Sequence, residues 1–89
     1  MDNKSILGAL AMDLKRVALG LHRGSSVMAD RFFLEVMKRK NEIPLDTVPP
    51  YMQKILRHLD SFGTNRTERT AEDALMYSTL IQNYAVQKE

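Results

Sequence analysis

The chain has 89 residues, 44% of them hydrophobic and 27% charged, and a formal net charge of +2. This length suits one domain, spanning 1–89, that buries roughly 60–65% of its unfolded surface, and the composition excludes a disordered chain. No cysteine occurs, which excludes disulfide staples, thiolate catalysis and sulfur-ligated zinc and suits a cytoplasmic location.

The charge is unevenly spread. Residues 1–43 carry eight Lys/Arg against five Asp/Glu, and residues 44–89 carry five against six. A dedicated nucleic-acid binder shows a stronger basic footprint. The residues Met1-Asp2-Asn3-Lys4 lack the charged and apolar regions of a signal peptide, so none is expected.

A first helix is predicted over about 3–22. Leu7, Leu10, Leu14, Val17 and Leu21 recur at alternating spacings of three and four, which places them on one helical stripe. Ile6 and Ala18 widen it. Asn3 or Ser5 is the expected cap, and Gly24 is expected to end the segment in a left-handed conformation. Ser25 or Ser26 then caps a second helix over about 26–42, with Ala29, Phe32, Phe33, Val36, Met37 and finally Ile43 as its apolar set. Pro44 stops it, because a residue before proline avoids the α region. The connection Arg23-Gly24-Ser25 is so short that these helices are expected to fold back as an antiparallel hairpin.

Pro49 and Pro50 can occupy the start of a third helix, over about 50–62, where a missing amide hydrogen does no harm. Ile55, Leu56, Leu59 and Phe62 share one face of it, and Gly63 ends it. Thr64 and Thr67 are candidate caps for a fourth helix, over about 67–86. Glu68, Glu72 and Asp73 favour its N-terminal dipole, and its apolar face reads Ala71, Ala74, Leu75, Ser78, Ile81 and Ala85. No segment alternates as a strand does. The expected fold is therefore all-α, an antiparallel up-down-up-down four-helix bundle. A three-helix core with the third helix as an appendage is the other packing considered.

Few side chains promise chemistry. His22 and His58 each neighbour an arginine, and no Glu-x-x-His pair is present, so no metal site is expected. Four scattered glycines form no phosphate-cradling loop, and no glycine-flanked serine elbow occurs. No catalytic residue and no cofactor are expected.

Arg16 and His22 stand with five residues between them. This spacing resembles the Arg-x(4–6)-His motif of the HEPN ribonucleases, which are also small helical bundles. The resemblance would imply that the pair meets its symmetry mate across a dimer interface to cleave RNA. It covers two residues, and here they lie in the first helix rather than late in the domain.

Lys38, Arg39 and Lys40 form the densest basic cluster, which Arg57 could enlarge into a phosphate-contacting surface. Successive helical positions point about 100° apart, however, so the run has no single face.

The fourth helix is the most informative element. From Ala74 to Gln87 no residue is charged. A helix on the outside of a small bundle normally carries charge on its free side. The run is too polar and too short to cross a membrane. Tyrosine and methionine are enriched where a surface meets a partner. The expectation is a non-enzymatic module that forms a homodimer, or binds a protein partner, through Tyr77, Leu80 and Tyr84. A nucleic-acid-associated protein using Lys38, Arg39, Lys40 and Arg57 is the alternative. A HEPN-like ribonuclease is the third reading.

Overall fold

The computed structural model describes residues 2–63 and 66–87. Four α-helices are present among them: α1 (Asn3–His22), α2 (Ser26–Asn41), α3 (Pro50–His58) and α4 (Thr70–Ala85). Short 3-10 turns occupy Leu45–Thr47 and Leu59–Gly63. No strand occurs among the described residues, and the fold is the expected all-α bundle.

The periodic stripe of α1 becomes the centre of the core. Leu7, Leu10, Leu14 and Val17 are fully buried, joined by Ile6, Ala11 and Ala18. The cap is Asp2 rather than Asn3 or Ser5. Asp2 is extended, and its carboxylate accepts the Ser5 N–H at 2.8 Å. Asn3 is already helical, and its amide donates to the Thr47 hydroxyl instead, at 2.6 Å.

Gly24 ends α1 as expected, with φ at +71°. The Ser25 N–H reaches the Gly20 carbonyl and the Gly24 N–H that of Leu21, the paired bonds of a Schellman turn. Ser25 then caps α2 by accepting the Met28 N–H. Next to this turn the two helices nearly touch: a Cβ on Gly20 would lie 2.9 Å from the Ala29 nitrogen. Only glycine lets the hairpin close this tightly. Ala29 and Val36 of α2 are buried, while Leu21, Phe32, Phe33 and Met37 pack partly covered around them.

Pro50 occupies the first turn of α3. Met52, Leu56 and Leu59 are fully buried, and Ile55 and Phe62 are buried as well. α3 is thus part of the core and not an appendage. The helix tightens to 3-10 geometry at Leu59, ending at Gly63, where a Cβ would stand 2.5 Å from the Phe33 ring.

α4 starts at Thr70, three residues later than the sequence suggested. The preceding turn is braced by two threonines: the Thr67 hydroxyl accepts the Arg69 N–H, and the Thr70 hydroxyl accepts the Thr67 N–H. Thr64, the other expected cap, lies outside the described residues. Ala71, Ala74, Ser78 and Ile81 are buried, and the Ser78 hydroxyl is satisfied by the Leu75 carbonyl. Leu75, expected in this face, is exposed; it stands at the edge of α4 nearest Met12 of α1.

The helices run up, down, up, down. Asp13 of α1 meets Arg39 of α2, Gly8 meets Ala85, Tyr51 of α3 meets Tyr84 and His58 meets Tyr77. α1 packs most extensively on α2 and α4. α3 lies against α4, and the 3-10 turn after it touches α2. The order around the axis is therefore α1, α2, α3, α4, with α2 and α4 at opposite corners. One hydrophobic cluster runs through all four. No helix among the described residues is long and apolar enough to cross a membrane.

Candidate interaction surfaces

The basic cluster of α2 is divided by its helix geometry. Asp13 of α1 is a buried carboxylate, its side chain 8% exposed, and a buried charge must be paired. Arg39 pairs it through Nε at 2.9 Å, and Arg16 through a terminal nitrogen at 3.1 Å. The hydrogen bond to Asp13 pushes the Arg39 pKa further up. Lys40, about 100° further round the helix, meets Asp60 at 3.2 Å. Lys38 is exposed on the outer face of α2, and Arg57 is exposed on α3. Two of the four cations expected to form one patch are thus neutralised by carboxylates.

Arg16 is engaged twice, by Asp13 and by the Phe32 ring 5.5 Å away. His22 is exposed in the last turn of α1. Six residues apart on one helix, the two side chains leave it in directions about 120° apart. Within one copy of the chain they are not brought together.

The second histidine belongs to an aromatic cluster that was not apparent from the sequence. The His58 ring lies 5.4 Å from Tyr77 and 5.8 Å from Phe62, and Tyr77 lies 5.9 Å from Phe62. The Tyr77 hydroxyl is 3.5 Å from His58 Nδ1. The cluster joins α3 to α4. No group of three His, Cys, Asp or Glu side chains among the described residues could hold a metal ion.

The expected contact residues of α4 do share a face. Tyr77 and Tyr84 are half-buried, with Tyr84 edge-on to Tyr51 at 6.1 Å and Lys4 above its ring. Leu80 stands between them and is 42% exposed. Met76, Thr79, Asn83, Val86 and Gln87 are exposed as well. The uncharged run is therefore not explained by a helix buried on most sides. Between α1 and α4 a groove of about 290 Å³ is lined by Met12, Lys15, Leu75, Thr79 and Gln82, among others. The buried Gln82 Oε1 has no hydrogen-bond partner among the described residues.

No protein-family model, curated protein or solved structure matches the chain.

Proposed function

We propose that the protein is a non-enzymatic helical interaction module that forms a homodimer through the outer side of α4, with Leu80 at the centre and Tyr77 and Tyr84 flanking it. The carrying observation is that Met76 and Leu80 are exposed beside the half-buried Tyr77 and Tyr84, on a helix with no charge between Ala74 and Gln87. Contiguous apolar surface of this kind marks contact sites. α3 holds the two tyrosines from behind, so little side-chain entropy remains to be lost when a second copy covers them.

The dimensions suit the role. The bundle measures 38 × 19 × 19 Å, so one lateral face offers roughly 700 Å², close to the ~800 Å² that each partner commits in a standard interface. The pairing of Arg39 with Asp13 and of Lys40 with Asp60 weighs against the nucleic-acid alternative. The engagement of Arg16 weighs against the ribonuclease reading in the same way. A cytoplasmic setting fits the cysteine-free chain.

Light scattering coupled to size exclusion tests the proposal. At tens of micromolar the wild-type protein is expected at twice the chain mass, and Leu80→Glu at the chain mass with an unchanged helical circular dichroism spectrum. A monomeric wild type overturns the proposal, as does a Leu80→Glu variant that stays dimeric.

A further inference from the structure

The outer face of α2 carries a second pattern, independent of α4. Val27 is 80% exposed and Leu34 69%, the two most exposed large apolar side chains among the described residues. They stand seven residues apart, two turns or about 10.5 Å along the helix. Arg31 and Lys38 repeat the same interval, offset by four. Val27, Arg31, Leu34 and Lys38 thus follow a 4-3-4 spacing along one stripe, the seam geometry of helix-to-helix packing. Neither Arg31 nor Lys38 has a carboxylate partner among the described residues. Arg31 is held over the Phe32 ring at 6.0 Å, so its charge is partly oriented before any partner arrives.

The acids beside the stripe already face arginines of this chain. Asp30 is bound to Arg66 at 2.6 Å, and Glu35 lies near enough to Arg39 to favour its charged form. A polyphosphate surface would meet Leu34 and Val27 where it needs cations. A bilayer would find two aliphatic side chains on one face, far less than an interfacial helix inserts. A helix whose own seam is aliphatic, and whose flanking positions are acidic, satisfies both halves of the pattern: Val27 and Leu34 pack, while Arg31 and Lys38 pair.

We infer that the outer face of α2 docks an acidic amphipathic helix of a partner protein. α2 and α4 occupy opposite corners of the bundle, so the site does not depend on the α4 dimer and remains outward on both copies of it.

The test uses the full chain, methyl-labelled, and two synthetic peptides of about three heptads. Both carry Leu at the seam positions; one has Glu on the flanks and the other Lys. The Leu/Glu peptide is expected to shift the Val27 and Leu34 methyl signals to saturation and to bind about tenfold or more tightly than the Leu/Lys peptide. Leu34→Glu should weaken it by at least about tenfold, with the circular dichroism spectrum and the oligomeric mass unchanged. The double substitution Arg31→Glu with Lys38→Glu should reverse the peptide preference. Equal binding of the two peptides overturns the inference, as does saturation at the α4 methyls instead. So do indifference to Leu34→Glu, tighter binding of a single-stranded oligonucleotide at the same methyls, and no shift at millimolar peptide. Because the readout is the α2 methyls, a failure here leaves the mass measurement on Leu80→Glu untouched.

Discussion

The Asp2 carboxylate is fully exposed, yet it holds the Ser5 amide proton, and that bond lowers its pKa below the ordinary aspartate value. A carboxylate whose folded-state pKa is depressed adds stability above its unfolded value and loses it as pH falls through the folded one. The Asp2 contribution is thus complete at neutral pH and fades on the acid side of the ordinary aspartate range. Asp2→Asn keeps a capping oxygen but carries no charge for the helix dipole. Its urea midpoint should fall below that of the wild type at pH 7, and the gap should close toward pH 2. A gap that does not change with pH would show that the charge plays no part. Asn3 and Ser5 were the expected caps, and Asp2, the residue that does cap, stands directly before them. Periodicity does not say which of them stays extended, and the Thr47 hydroxyl that draws the Asn3 amide away comes from a distant loop. Gly20 was unreadable for a related reason. Its need for a missing Cβ exists only once Ala29 lies against it.

At the scale of the elements, the stripe of α1 and the Gly24 turn were legible because each rests on neighbours in sequence. The Asp13–Arg39 pair was not, since it joins residues twenty-six apart across two helices. It acts as a polar clasp at the edge of the α1–α2 contact. A double-mutant cycle with Asp13→Asn and Arg39→Gln should give a coupling of about 1–2 kcal/mol, below the ~1.5–3 kcal/mol of a fully buried charged hydrogen bond because Arg39 is partly solvated. The same cycle with Arg16→Gln should give no more than ~0.5 kcal/mol, because that guanidinium is 46% exposed and sits only three residues along the same helix. Urea unfolding measures both, and a larger coupling to Arg16 would reverse this assignment of the clasp. α4 was harder to read than α1. Without charge to mark its solvent side, Leu75 looked as suited to the core as Ala74. Their separation follows from the close approach of α1, marked by Gly8 against Ala85, which favours small residues on the buried face.

For the whole molecule, the short connections carried the up-down-up-down order, and that order has a functional consequence. It sets α2 and α4 at opposite corners of a bundle 19 Å across. Changes at sites more than about 7–10 Å apart with no shared partner usually add within about 0.5 kcal/mol, a factor of roughly two in affinity. Val27, Arg31, Leu34 and Lys38 share no hydrogen bond, ion pair or ring contact with Tyr77, Leu80 or Tyr84. The acidic peptide should therefore bind monomeric Leu80→Glu within about twofold of its affinity for the wild type, at one peptide per chain in both. The reciprocal also holds by linkage: saturating peptide should leave the dimer dissociation constant unchanged within the same factor. Calorimetric titration of the peptide into each variant measures the first, and dilution monitored by light scattering the second. A tenfold loss of peptide affinity in the Leu80→Glu monomer would mean that each peptide bridges two copies. The faces of α2 and α4 would then form one composite site, with stoichiometry falling to one peptide per dimer.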